Sequence, residues 1–161
     1  DFAKDTKINL GRVLSEEGAP DLTEPQRWMV ALSSAYATGH RDLVQSLKTI
    51  ATEKLSEVQL SAAGSAASVM AMNNTYYRFL HFAKSETYSQ IPANLRMQVM
   101  ANSGIDRAEF ELLCLAVSAL NGCDTCVVSH IHESEKKFSP LGIHSAIRIA
   151  SVVRAAAVAL S

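Results

Sequence analysis

Two short strings constrain this chain more than any others: Thr23-Glu24-Pro25-Gln26 and Ser56-Glu57-Val58-Gln59. Each sets a Ser or Thr three residues ahead of a Gln, the pattern of a capping box that opens a helix. Pro25 falls in the first turn, where its missing N–H is harmless. Trp28, Met29, Leu32 and Tyr36 follow at helical spacing, and Gly39 can end that helix. Leu43, Val44, Leu47 and Ile50 form a second amphipathic face, and an Ala-rich stretch from Leu60 to Met72 is expected to stop near Asn73 and Asn74. Pro92 is expected to begin a short helix through Met97 and Met100. Asp106 caps a helix carrying Phe110, Leu113, Val117 and Leu120, which Asn121-Gly122 breaks. Asp124 is expected to cap a helix reaching about Lys137, and Ser139-Pro140 opens the last one. No segment alternates cleanly between apolar and polar residues, so the expectation is an all-α fold of about eight helices. The ordinary reading of each apolar stripe is simply core.

The chain has 161 residues, the size of a single domain. Hydrophobic residues make up 48% and the net charge is −1, which excludes disorder and disfavours a nucleic-acid partner. No membrane role is expected. The best apolar run, Ile147 to Leu160, is interrupted by Arg148 and Arg154 and falls short of the ~18 residues of a membrane span. The charged, amphipathic start from Asp1 to Leu10 does not read as a signal peptide, and the chain does not begin with Met. Three cysteines are too few, and odd in number, for a secreted disulfide scaffold. A reducing cytoplasm is therefore expected, where a close cysteine pair means redox chemistry or metal.

Shifting the chain by 84 residues lays Ser34–Val44 over Ser118–Val128, and Leu60–Met70 over His144–Arg154. This suggests one domain, 1–161, with a pseudo-repeat over 23–72 and 107–160. Only the second copy carries chemistry: Gly39 and Asp42 stand where Cys123 and Cys126 stand, and Arg27 stands where Glu111 stands.

That chemistry is Cys123-Asp124-Thr125-Cys126-Val127-Val128-Ser129-His130, with Glu111 twelve residues ahead of the first cysteine. If Asp124 is the N-cap, Cys126 is the second helical residue, near unpaired N–H groups and the positive end of the helix dipole, which favours a thiolate. His130, four residues on, shares the face of Cys126 and can take its proton. Cys123 lies within disulfide reach of Cys126. A helical hairpin around Gly122 sets Glu111 opposite about residues 130–133, able to orient His130 directly or through water. Val127, Val128 and Ile131 are expected to bury on the other face. The rival is zinc, with Cys123, Cys126, His130 and either His132 or His144 as ligands. His132 is expected to be solvated and Cys114 to be a small core residue, while His40, His81 and His144 join no constellation.

The segment Ala116–His130 resembles the active-site signature of the alkyl hydroperoxide reductase AhpD family, a Glu followed by CxxC and a His four residues after the second Cys. The likeness extends through Met70–Arg78 and Leu95–Gly104, over most of the chain, and favours that family over the wider carboxymuconolactone decarboxylase-like superfamily. It implies an all-α fold with a repeated helical unit, in a homo-oligomer, commonly a trimer. It implies hydroperoxide reduction in antioxidant defence through a Cys123–Cys126 disulfide. No bound cofactor is implied; electrons would come from an external dihydrolipoyl group, beside a peroxiredoxin partner. Glu111, Cys123, Cys126 and His130 match the family's catalytic positions. Some members carry a His between the cysteines where this chain has Thr125, which weakens the proton relay. Hence the alternatives: a disulfide reductase serving a peroxiredoxin with little peroxidase activity of its own, or a non-redox zinc module. Decarboxylase-like chemistry would leave the CxxC without a task.

Overall fold

A computed structural model describes residues 2–161; of the amphipathic start, Asp1 lies outside the described residues. Among those residues there are eight α-helices and no strand: α1 (Lys4–Val13), α2 (Glu24–Thr38), α3 (Arg41–Ala51), α4 (Glu57–Ala83), α5 (Glu86–Ser89), α6 (Arg107–Leu120), α7 (Asp124–Ser134) and α8 (Pro140–Leu160). A 3₁₀ turn spans Gln98–Met100. The all-α expectation holds.

Both capping boxes form as the sequence indicates. Thr23 Oγ1 accepts from the Gln26 backbone N–H while Gln26 Oε1 accepts from the Thr23 N–H, and Ser56 and Gln59 repeat the exchange. Gly39, with φ of 72°, takes the left-handed conformation that closes α2. Asp106 and Ser139 cap α6 and α8 through their side chains. At α3 the cap is His40, whose Nδ1 accepts from the Leu43 N–H at 3.3 Å. The helix α2 packs against α3, α4, α6 and α8, and its residues Met29 to Ala35 are buried in the core. Arg27 is buried as well, its guanidinium donating to the Leu14 and Leu22 carbonyls.

Three expectations are corrected. Asn73 and Asn74 do not stop α4, which continues to Ala83 and ends at Lys84 in the left-handed region. Tertiary hydrogen bonds override the poor helix propensity of asparagine: Asn74 Nδ2 donates to Ser118 Oγ at 2.9 Å, and Asn121 Nδ2 donates to Asn74 Oδ1 at 3.0 Å. Pro92 opens no helix. Asn94 takes a positive φ of 51°, and only Gln98–Met100 closes a single tight turn. Finally, α7 ends at Ser134, with Lys137 in the turn that follows.

The last helix, α8, is long and apolar enough by length and composition to cross a membrane. Its start at Pro140 makes the apolar helix longer than the run from Ile147 suggested. Ile143, Ala146, Ile149, Ala150 and Val153 along it are buried in the core cluster.

Candidate active site

The turn between α6 and α7 brings the chemistry together. Gly122 has φ of 67°, a left-handed conformation that reverses the chain in one residue. The Asn121 carbonyl accepts from the Arg78 guanidinium of α4, and the Asn121 carboxamide is held by Asn74. Cys123, not Asp124, is the N-cap of α7. Asp124 is the first helical residue, its carboxylate accepting from the Thr125 N–H at 2.7 Å, and Cys126 is the third helical residue. The first-turn argument survives this shift, because the N–H groups of the opening turn still lack carbonyl partners from within the helix.

Cys123 and Cys126 are joined by a disulfide, with 5.3 Å between their Cα atoms. Cys123 is fully buried and Cys126 is 7% exposed. Glu111 and His130 pair directly, Nδ1 to Oε2 at 2.6 Å, both side chains nearly buried. The other ring nitrogen, Nε2, lies 3.2 Å from the Met70 thioether.

The buried face of α7 departs from the expected one at Val128; Val127 and Ile131 pack against the core as expected, though only in part. Cys126, His130 and Ser134 face inward, whereas Val128 is 69% exposed and Val127 and Ile131 are only partly covered. The helix lies against α6 and α4, and those walls supply Glu111 and Met70, the two partners of the His130 ring. A buried imidazole with a partner on each ring nitrogen outcompetes one valine for the inward position.

A cavity of about 290 Å³ opens on this face, lined by Asn73, Tyr77, Met97, Met100, Thr125, Cys126, Ser129 and His130. A larger hollow of about 620 Å³ beside Ser65, Ser68 and Arg96 contains no cysteine or histidine. Cys126 and His130 both line the smaller one.

The four candidate residues therefore converge, while the zinc set does not. The two sulfurs are bonded to each other, His130 is held by Glu111, and His132 and His144 are exposed. Among the described residues no group of three or more His, Cys, Asp and Glu side chains is arranged to hold a metal.

A model of the Carboxymuconolactone decarboxylase family matches residues 86–161. A relative from Coxiella burnetii (strain RSA 493 / Nine Mile phase I), named alkyl hydroperoxide reductase AhpD, is 49% identical over 95% of this chain and 87% of its own length. The chain belongs to the alkyl hydroperoxide reductase AhpD family. It is an enzyme of that family. Relatives of the same name from Maricaulis maris (strain MCS10), 41% identical over the whole of this chain and 92% of theirs, and Bradyrhizobium sp. (strain ORS 278), 42% identical over 99% and 87%, place it there too.

Sequence reasoning missed the wall that α4 contributes to this AhpD-family site. Met70, Asn73, Asn74, Tyr77, Arg78 and His81 recur at spacings of three and four, so they share one side of the helix. The usable signal was Asn74 four residues after Met70, a carboxamide set within an apolar stripe. His81 reaches the head of α7, with Nε2 3.4 Å from Asp124 Oδ2.

Cys114 is the free, fully buried thiol expected of a core residue. Burial, and secondarily the charge of Glu111, pushes its pKa well up. A thiol that ionises more easily unfolded than folded contributes stability below the unfolded pKa of about 8.5, lost progressively as pH rises above it. Cys114→Ala is expected to flatten the alkaline limb of a denaturation midpoint measured from pH 7 to pH 10. An unchanged slope would assign that limb to other groups.

Proposed function

We propose that the protein reduces organic hydroperoxides with Cys126 as the attacking thiol and Cys123 as the resolving thiol. The observation that carries this is asymmetry within the pair. Of the two cysteines only Cys126 lines the cavity, and it shares that cavity with His130.

In the reduced enzyme His130 takes the Cys126 proton, with Glu111 fixing the imidazole through Nδ1 and balancing its charge. Nε2 is then the nitrogen that gains and loses the proton; a thioether is a weak acceptor and releases it easily. Cys126 Sγ attacks the terminal oxygen of the hydroperoxide. The O–O bond breaks, Cys126 becomes a sulfenic acid, and the departing alkoxide takes its proton from His130. Cys123 Sγ attacks the Cys126 sulfur, and hydroxide leaves with the Cys123 proton as water. The two electrons now missing from the thiols are returned by an external dithiol of the dihydrolipoyl class, which exchanges through a mixed disulfide and leaves as its own disulfide. No bound cofactor takes part. The exposed Phe79, Phe82, Tyr88 and Ile91 near the end of α4 support the expectation of a homo-oligomer.

A second reading is favoured by Thr125, which stands between the cysteines with its hydroxyl 3.8 Å from Cys123 Sγ and offers no imidazole to the relay. Under it the chain chiefly reduces a partner peroxiredoxin. Thiol counting on the reduced protein separates the two. One equivalent of hydroperoxide is expected to remove two thiols, and dihydrolipoamide to restore them. Thiols that survive hydroperoxide but disappear with a disulfide-bearing peroxiredoxin would select the second reading.

A further inference from the structure

Beside the disulfide, the cavity wall holds a carboxamide to which neither the sequence pattern nor the mechanism above gives a task. Asn73 is 6% exposed, and its Oδ1 is buried without a hydrogen-bond partner. The neighbouring asparagine differs sharply: both ends of the Asn74 carboxamide are engaged, by Ser118 and Asn121. A buried carbonyl oxygen left unpaired destabilises the fold, and such groups are rare in native proteins unless something else occupies them.

The other polar groups on this wall are already committed or wet. His130 donates from Nδ1 to Glu111, and Nε2, protonated once it has taken the Cys126 proton, is a donor and not an acceptor. Thr125 and Ser129 lie on exposed positions where water can serve them. Tyr77 is likewise partly open to solvent. Among these residues the open, buried acceptor is therefore Asn73 Oδ1, and it lines the same cavity as the attacking sulfur.

We infer that Asn73 is a substrate-positioning residue whose carboxamide oxygen accepts the O–H of the incoming hydroperoxide. This rests on the peroxidase reading above and adds the group that orients the substrate. A hydroperoxide carries one hydrogen-bond donor, on the terminal oxygen that Cys126 must attack. Holding that hydrogen on Oδ1 fixes the terminal oxygen in the cavity and leaves the alkyl oxygen free to depart. The hydrogen stays on the transferred oxygen and becomes the proton of the sulfenic acid, so Asn73 gains and loses nothing. The walls beside it, Met97 and Met100, are apolar and fit an alkyl group.

The test separates the two half-reactions by stopped flow on the full chain. Oxidation of the reduced enzyme by tert-butyl hydroperoxide is followed first, then reduction of the disulfide by dihydrolipoamide. Asn73→Leu and Asn73→Ala are expected to slow oxidation about tenfold, the effect of one ordinary hydrogen bond, and to leave the reduction rate unchanged. Asn73→Leu is also expected to keep or raise the thermal midpoint, because it removes an unpaired buried oxygen. A structural role predicts the opposite, a lower midpoint with both half-reactions impaired, and that outcome overturns the inference. So does an unchanged oxidation rate, and so does slowing confined to the dihydrolipoamide step, which would assign the oxygen to the reductant. If the wild-type protein itself is not oxidised by hydroperoxide, the peroxidase reading fails and this inference with it; oxidation of the wild type with no effect of the variants removes only the inference.

Discussion

Cys126→Ser is expected to lose hydroperoxide reduction by at least about 10³-fold, because a serine hydroxyl neither ionises near neutral pH nor attacks an O–O bond. The variant is expected to fold, since the replacement is nearly isosteric at a site 7% exposed. Cys123→Ser behaves differently. It consumes one equivalent of hydroperoxide and stops at the sulfenic acid, with no neighbouring thiol to close the disulfide. Turnover assays with trapping of the sulfenic acid by a dimedone-type reagent distinguish the two variants. Full activity in Cys126→Ser, with early loss in Cys123→Ser, would reverse the roles.

The second large effect falls on the buried pair of Glu111 and His130. Glu111→Gln keeps the shape and one acceptor oxygen but removes the negative charge that balances an imidazolium. Loss of that general-base support is expected to lower kcat/KM for hydroperoxide by about 10²–10⁴-fold. Glu111→Ala adds a stability penalty of about 1–3 kcal/mol, because it leaves the buried Nδ1–H of His130 without its acceptor. Urea unfolding of both variants, beside their kinetics, reads the two effects separately. If Glu111→Gln retained wild-type rates, Glu111 would be a structural anchor and the base would have to be oriented by something else.

Much of this was legible in the residues. The capping boxes at Thr23 and Ser56 mark helix starts because the signal is local: side chain and backbone three residues apart meet whatever else the chain does. The Glu111–His130 pair followed from the hairpin at Gly122, again a matter of short-range geometry. What was misread depended on distant partners. Asn73 and Asn74 look like a helix end until Ser118 and Asn121 arrive from another helix to satisfy Asn74. Val128 looks like part of the buried face until Glu111 of α6 and Met70 of α4 draw His130 inward. The contact between Met70 and His130, sixty residues apart, had no local signature. The internal repeat is our proposal: a left-handed glycine follows each of the paired helices, Gly39 after α2 and Gly122 after α6, one residue out of the 84-residue register.

The placement of six site-facing residues on the single rod of α4 has a consequence for how this protein can change over generations. Met70 and His81 are separated by about 16 Å along the axis at 1.5 Å per residue. One residue gained or lost between them turns everything downstream by about 100°. Such an event would strip Arg78 from Asn121 and His81 from Asp124 in one stroke while leaving every amino acid in the set intact. This part of the chain can accept substitutions one at a time, yet it has almost no tolerance for insertions or deletions. The irregular stretch at 90–96 lies outside that spacing and outside the lining of the cavity beside Cys126, so a change of length costs least there.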